Sequence, residues 1–330
     1  MFNFLKCFKR QRRGVVHPDP VDINSPIPRH IITEAPPPTL VFEWEGKEMD
    51  KYHWWPMKQD ENPLISLQNN LYAFGGGLDK YDELFCVKSV EYQKTKHYRS
   101  SDSLKPDANW AGFCDAAAIL SCTRKYPPNS VKVSYNGKTQ TFTPSDIESL
   151  MTVASYNSVD HDKTLFYGDR FNDHRVGPSE DPNEPYPLYL IDILKKICKD
   201  KNPFAIDIDK GVSVWNYPYN KVKIMSTHVA PEQYISKISQ LPDTGIYTYY
   251  RFIISSNAYP EKKLDFWGWV NTIGFTTTQG WLSSKHPDFV WKKYKCEGCW
   301  KGMCRINPEI SAKDVYKIYN ASLNGEELQY

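Results

Sequence analysis

The sequence predicts an α+β fold in which a helix packs against an antiparallel sheet. Helical signals come early in the chain and strand signals come late, apart from one helix that closes the sequence. Asn136 and Gly137 lie between two segments of alternating residues, which is a strong signal for an antiparallel hairpin. Because helices and strands are segregated along the chain, the pattern favours α+β over alternating βαβ units.

Length and composition allow a full hydrophobic core. The chain has 330 residues, of which 40% are hydrophobic, and its 14% of aromatic residues could line a substantial core or a wide groove. A net charge of +2 gives no general electrostatic reason to bind nucleic acid. Eight cysteines, mostly isolated, are typical of reduced thiols in an intracellular protein rather than of a disulfide scaffold.

Residues 1–40 are predicted to form a disordered arm that is basic at its start and then proline-rich, with folded structure beginning near Val41. No apolar segment is long enough for a signal peptide or a membrane span, so an intracellular location is favoured. Cys7 lies beside basic residues, so the arm either is a solvated tail or, if acylated, makes weak membrane contact.

The remaining residues, 41–330, are predicted to form one domain of three parts. These are an N-terminal lobe (41–100), a catalytic core (101–295) and a C-terminal cysteine-rich turn and helix (296–330). The glycines from Gly75 to Gly77 are expected in a loop. They do not form a phosphate-binding motif, because no Gly-Lys-Ser/Thr follows them.

Two helices have clear start signals in the sequence. Thr143 is the expected N-cap of the first, with Pro144 at the first helical position and Asp146 facing back toward the cap. Ser311 is the expected cap of the closing helix, whose apolar residues recur at helical spacing. Strands are predicted in the segments NPFAIDID, VSVWNYP, NKVKIM, GIYTYYRFIIS and DFWGWVNTI.

The segment NWAGFCDAAAIL predicts a further helix that begins at Cys114 and ends before Pro127. A cysteine in the first helical turn lies where unpaired backbone N–H groups and the helix dipole favour the thiolate. The same N–H groups can stabilise a developing oxyanion. Cys114 is therefore either a nucleophile or a buried structural thiol on an alanine-rich helix.

Several motifs resemble the elicitor transglutaminase family. In chain order they are WWP, NNLYAFGGGLDKYD, NWAGFCDAAA, FAIDIDKGVSVWNYPYNKVKI, HPDFVW and NPEISAKDV, which together extend over roughly residues 50–325. The most specific is VWNYPYNKVKI, which is similar to the family's Val-Trp-Asn-x-Pro-Val signature. The resemblance implies a papain-like fold and acyl transfer from the side-chain carboxamide of a protein glutamine to a lysine amine or to water, without a cofactor or a metal.

The resemblance also implies a catalytic triad of cysteine, histidine and aspartate. Cys114 matches the nucleophile, and Asp207 or Asp209 matches the carboxylate that orients the imidazole. The family histidine, expected at the start of a strand, has no counterpart, because its position falls on or beside Tyr189. Ala116 and Ala117 replace the family's Gly-Trp after the cysteine.

Three histidines are candidates for the missing base. His286 occupies a position shared with the family, although His-Pro before a strand also suits a structural turn. His228 follows the signature strand, and a histidine in such a loop is often merely exposed. His174 precedes the aspartates by more than the family spacing.

Other candidate residues have structural interpretations beside the functional ones. Trp110, Trp215 and Asn216 are expected to line the groove or to pack and hydrogen-bond within the core. Asp207 and Asp209 alternate along a strand and so share one face, where they could instead meet a lysine. Three further thiols could bind zinc with His286, or be reduced surface thiols; these are Cys296, Cys299 and Cys304.

The sequence leaves three functions open. The first is glutamine acyl transfer through a Cys114 thioester, with a protein glutamine as donor and a lysine or other amine as acceptor. The second is an impaired relative that binds a protein partner in the inherited groove. The third is a cysteine peptidase or amidase, in which water resolves the thioester.

Overall fold

Seven α-helices and twelve β-strands form in the residues that the computed structural model describes, namely 36–56, 71–96, 112–157, 165–168, 185–207, 215–292 and 306–330. All of these residues belong to one compact unit, Pro36–Tyr330. The helices are α1 (Gly77–Phe85), α2 (Ser89–Lys96), α3 (Cys114–Thr123), α4 (Pro144–Asn157), α5 (Pro187–Ile197), α6 (Ile235–Ile238) and α7 (Ala312–Asn324). The strands are β1 (Thr39–Glu45), β2 (Val131–Tyr135), β3 (Lys138–Phe142), β4 (Leu165–Gly168), β5 (Phe204–Asp207), β6 (Asn216–Tyr219), β7 (Lys221–Thr227), β8 (Ile246–Ser255), β9 (Leu264–Ile273), β10 (Thr276–Trp281), β11 (Phe289–Lys292) and β12 (Leu328–Gln329).

The described strands form three sheets. The largest has the order β1-β7-β8-β9-β10 and the second the order β4-β11-β5-β6, and every neighbouring pair in both is antiparallel. The third is the hairpin β2–β3 with β12 parallel to β2. Helices packed with mainly antiparallel sheets confirm the predicted α+β class.

The four-stranded sheet separates two hydrophobic cores. Ala205, Phe289 and Trp291 belong to the core built with α1, α3, α4 and α7. Phe204, Ile206 and Val290 belong to the core that α5 shares with the five-stranded sheet, because alternate residues of a strand face opposite sides. One face of β5 and β11 is therefore covered by the layer that contains α3.

Asn220 joins the two antiparallel sheets, because it lies between β6 of one sheet and β7 of the other. Its residue is 1% exposed, and all its polar groups are used. The side-chain amide donates to the Lys47 carbonyl at 3.1 Å and accepts from the Asn257 N–H at 3.1 Å, while its carbonyl accepts from the Gly46 N–H at 2.7 Å. These bonds fix the chain just after β6, the strand that carries Asn216.

Local signals in the sequence predicted several elements correctly. The hairpin turns at Asn136 and Gly137, whose φ angles of 50° and 77° are those of a type I′ turn. The closing helix α7 begins after Ser311, whose hydroxyl accepts the Asp314 N–H at 3.3 Å. The helix at Cys114 begins at the predicted residue and ends at Thr123.

One predicted boundary is wrong. Gly77 is the first residue of α1 rather than part of a loop, and a Cβ there would lie 2.2 Å from the Ser149 hydroxyl oxygen. The glycine therefore allows close packing of α1 on α4. Strand β1 begins at Thr39, close to the predicted start of folded structure near Val41. No helix in the described ranges has the length and apolar character needed to cross a membrane.

The capping box of α4 gives a testable stability effect. The Thr143 N–H donates to Asp146 Oδ2 at 2.8 Å, and the Asp146 N–H donates to the Thr143 hydroxyl at 3.3 Å. We expect Thr143→Ala to lower the free energy of unfolding by about 1 kcal/mol, measured by urea denaturation. Thr143→Ser keeps the hydroxyl and is the matched control. Equal losses in the two variants would contradict a capping role.

Candidate active site

The Cys114 thiol lies at the N-terminal end of α3, where it is the first helical residue and is 9% exposed. The preceding residue, Phe113, has φ −96° and ψ 43°, so the chain turns into the helix at this point. The Phe113 N–H donates to the carbonyls of Trp54 and Trp55 at 2.7 and 3.0 Å. The side chain of Phe113 is apolar and cannot accept from the first-turn N–H groups, which point toward the thiol end of the helix.

Helix α3 lies close to the four-stranded sheet because the residues after the thiol are small. Ala116, Ala117 and Ala118 are all buried, with at most 3% exposure, and the helix packs on β5 and β6. Asp115 is tied to α4, since the Tyr156 hydroxyl donates to its carboxylate at 2.6 Å. The small side chains at these positions therefore allow close packing of the helix on the sheet.

Asn216 is the residue of β6 that contacts the thiol. Its Nδ2 lies 3.9 Å from the Cys114 Sγ, and its Oδ1 accepts a hydrogen bond from Trp291 Nε1 at 2.7 Å. Asn216 and Trp291 are 6% and 2% exposed, so the three side chains form a buried polar contact between helix and sheet.

Asp207 lies beside this contact at the end of β5. It pairs across the sheet with Asn216 of β6 and with Phe289 of β11, so the three residues share one face. Phe289 belongs to the core that contains α3, which shows that this is the face covered by α3. Asp207 is fully buried, and its Oδ1 accepts the Trp215 N–H at 2.9 Å. The carboxylate thus holds the backbone immediately before Asn216.

His286 lies in the segment that leads into β11 at the same edge of the sheet. The Asp288 N–H donates to the Asp207 carbonyl at 3.3 Å, so the chain that carries His286 enters next to the end of β5. The residue is 6% exposed, and its ring stacks on Trp281 at 5.0 Å between centroids and 13° between planes. Cys114, Asp207 and Asn216 therefore lie together at one sheet edge, which the backbone just after His286 also reaches, whereas the His286 ring lies on Trp281, a residue packed against the second core.

His228 lies elsewhere in the fold. It follows the last residue of β7, a strand of seven residues that spans roughly 23 Å. The residue is exposed, and its Nδ1 lies 2.9 Å from the Tyr247 carbonyl oxygen. Strand β7 belongs to the five-stranded sheet, where it pairs with β8, the strand that contains Tyr247.

The remaining predicted site residues, Trp110, His174 and Asp209, lie outside the described residues, as do the thiols of the suggested zinc site, Cys296, Cys299 and Cys304. Among the described side chains, no group of three or more histidines, cysteines, aspartates or glutamates is arranged to hold a metal ion.

The segment that the resemblance aligned with the family's histidine strand is a helix. Helix α5 begins with Pro187 at its first position, and Tyr189 is 52% exposed on it. Placing the start of a strand on or beside Tyr189 was therefore wrong. Leu190, Ile191 and Leu194 are buried and fix the helix on the second core.

Two tryptophans at this edge were not singled out from the sequence. Trp291 holds the Asn216 amide, and Trp54 packs edge-to-face on Trp215 at 5.5 Å between ring centroids. Trp215 is only partly buried, so its ring contributes to an aromatic surface beside the thiol as well as to packing. The motifs WWP and HPDFVW contain these tryptophans, but their pairing across the fold has no local sequence signal.

Comparison of the chain with protein-family models, with curated proteins and with solved structures gave no match. The resemblance to the elicitor transglutaminases therefore stays a prediction, and the chemistry of the site rests on its own residues.

Proposed function

We propose that the chain is a papain-like acyltransferase of the transglutaminase type, with Cys114 as its nucleophile. The observation that supports this most is the place of the thiol, at the first residue of a buried helix that faces Asn216 and Asp207 across a sheet edge. A structural thiol needs only apolar neighbours. This thiol instead meets a helix N-terminus and an oriented amide.

In the proposed reaction the Cys114 thiolate attacks the carboxamide carbon of a glutamine side chain. A C–S bond forms, and the carbonyl electrons move onto oxygen. The base has taken the thiol proton, and in its protonated form it gives this proton to the amide nitrogen as the C–N bond breaks, so ammonia leaves and a thioester remains. A lysine amine then attacks the thioester and gives an isopeptide bond, or water attacks and gives glutamate. In both cases the thiolate is the leaving group.

His286 is the proposed base, because its backbone enters the same sheet edge as Asp207 and because it is the one buried histidine among the described residues. In the stacked arrangement its ring lies on Trp281. Asp207 keeps the segment before Asn216 in place, and it is the described carboxylate nearest in the sheet to the thiol contact. His174 and Asp209 are the other members of the proposed set.

The test is the pH dependence of alkylation by iodoacetamide, followed thiol by thiol by mass spectrometry. We expect Cys114 to react with an inflection well below the ~8.5 of a free thiol. Cys198 should react far more slowly, because burial raises its pKa to about 12, and burial also raises the pKa of Cys122. The Cys114 inflection should move upward in His286→Ala and remain unchanged in His228→Ala.

A Cys114 inflection near 8.5 that none of His286→Ala, His174→Ala and His228→Ala moves would contradict an activated thiol. That result would favour the second candidate function, an impaired relative that binds a protein partner. The observation that favours it is that the segment aligned with the family's histidine strand is a helix, Pro187–Ile197, that contains no histidine. Release of peptide fragments instead of ammonia would favour a peptidase.

A further inference from the structure

We propose that Asn216 is a catalytic residue: its side-chain amide donates an N–H to the Cys114 sulfur and then to the oxyanion of the tetrahedral intermediate, and Trp291 positions it. This inference rests on the proposed function of Cys114. It identifies a hydrogen-bond donor, the Asn216 side-chain amide, that the sequence motifs alone do not reveal.

The orientation of the Asn216 amide follows from its partner. An amide has one accepting and one donating end, and the two are distinguished only by their hydrogen bonds. The indole nitrogen of Trp291 can only donate, and it lies 2.7 Å from one end of the amide, so that end is the oxygen. The NH₂ group must then face Cys114, 3.9 Å from Sγ.

The amide is also held firmly. Asn216 begins β6 and pairs with Asp207, whose carboxylate accepts the N–H of the preceding residue at 2.9 Å. Trp291 lies in β11, which is between β4 and β5 in the sheet, and it is 2% exposed. A donor that is fixed before the reaction needs no reorganisation when charge develops, and this is the condition for strong electrostatic stabilisation.

The direction of the N–H suits both stages of the reaction. In the resting site it points at the sulfur, where it favours the thiolate over the thiol. Once the C–S bond forms, the negative charge moves to an oxygen two bonds from the sulfur, within reach of the same NH₂ group. The backbone N–H groups at the start of α3 can donate from the other side. A neutral amide adds no titratable group that would compete with the base.

The test compares Asn216→Ala, Asn216→Asp and Trp291→Phe with the parent. Amine incorporation into a glutamine-containing peptide should lose about 10²–10³-fold in kcat with little change in KM in Asn216→Ala, because one oxyanion donor is removed. Trp291→Phe leaves the amide present but unoriented, so a smaller loss in kcat is expected. In all three variants the alkylation inflection of Cys114 should move to higher pH.

Asn220→Ala is the matched control, since Asn220 is another buried, hydrogen-bonded asparagine and lies in the same chain segment. It should lower the thermal midpoint without moving the Cys114 inflection. If Asn216→Ala misfolds, Trp291→Phe gives the same readout with Asn216 intact. The proposal is overturned if folded Asn216 variants keep both the parent kcat and the parent inflection.

The two proposals fail in different ways. If the parent labels at low pH and transfers amine but the Asn216 variants match it, only the role of Asn216 is wrong. If the parent transfers no amine, the alkylation profile still decides whether the amide stabilises the thiolate, because alkylation needs no substrate. A shifted inflection would then support the donor, while absence of both amine transfer and ammonia release would contradict the acyltransferase.

Discussion

Cys114→Ala is expected to lower the rate of amine incorporation by about 10³-fold or more, since removal of a covalent nucleophile leaves only binding and electrostatic stabilisation. Cys114 is 9% exposed, and it is the first residue of α3, where buried alanines follow it. Loss of one sulfur atom should therefore leave the fold intact. The measurement is incorporation of a fluorescent primary amine into a glutamine-containing protein, with ammonia release followed in parallel.

Cys122→Ala is the matched control, because it removes a thiol from the same helix α3. Its thiol has a pKa raised by burial and should stay protonated at neutral pH, so its removal should change the rate by less than about twofold. Cys198→Ala tests a second buried thiol in the other core. If Cys114→Ala keeps the parent rate while another cysteine variant loses it, the nucleophile has been assigned to the wrong thiol.

The elements that the sequence predicted well are those with local signals. Asn136 and Gly137 supply the positive φ angles of the hairpin turn, and Thr143 with Asp146 forms a capping box within four residues. Each of these features is decided by neighbouring residues. They therefore form wherever the surrounding chain allows, and tertiary packing did not override them.

Helix α5 had a local signal that the resemblance concealed. Pro187 suits the first helical position, and Leu190, Ile191 and Leu194 recur at helical spacing. A strand beginning at this position, as in the family, would have a period of two and would place buried and exposed side chains on the wrong faces. All three aliphatic residues are buried in the second core, which is the pattern of a helix rather than of a strand.

The contact of Asn216 with Cys114 could not be predicted from sequence spacing. The two residues are 102 positions apart, and Asn216 and Trp291 are 75 positions apart. Their meeting depends on how α3 packs on β6 and on the antiparallel register that places β11 beside β5. Both features depend on tertiary packing, to which the two hydrophobic cores contribute together.

Glu148→Gln is expected to be more stable than the parent by about 3 kcal/mol at pH 8, and nearly equal to it at pH 4.5. Glu148 is 4% exposed on α4, where it accepts the His53 N–H and, at 3.2 Å, the Tyr126 hydroxyl. Burial raises the pKa of its carboxyl from 4.5 to about 7, more than these two hydrogen bonds lower it. Between pH 4.5 and about 7 the Glu148 carboxyl therefore keeps a proton in the native protein that it has already lost in the unfolded chain.

The sign of the effect follows from that difference in bound protons. Between pH 4.5 and about 7 the native state binds more protons than the unfolded state, so the free energy of unfolding falls as pH rises. A pKa difference of about 2.5 corresponds to about 3 kcal/mol, all of it lost above pH 7. Glutamine is the neutral isostere and removes this dependence.

Comparing the variant with the parent separates Glu148 from His53, whose pKa is lowered by burial and then by Lys51. That imidazole is present in both proteins, so its own pH dependence cancels in the difference. Urea denaturation from pH 4.5 to 8 measures the effect, and Glu232→Gln, at an exposed position, supplies the baseline for removing a surface carboxylate. A stability difference that stays within 1 kcal/mol across the range would show that Glu148 is ionised in the native protein.

Glu148 also lies on a hydrogen-bonded path that leads to the residue before the thiol. It holds the His53 N–H, and the next two residues, Trp54 and Trp55, accept the Phe113 N–H directly before Cys114. Ionisation of Glu148 strengthens its bond to the His53 N–H, because charged acceptors bind N–H donors more strongly than neutral ones. A glutamine carbonyl oxygen still accepts this N–H, so Cys114 alkylation in Glu148→Gln should keep its inflection while the stability difference changes with pH. A shift of the inflection would instead mean that Glu148 acts on the thiol through the segment from His53 to Trp55.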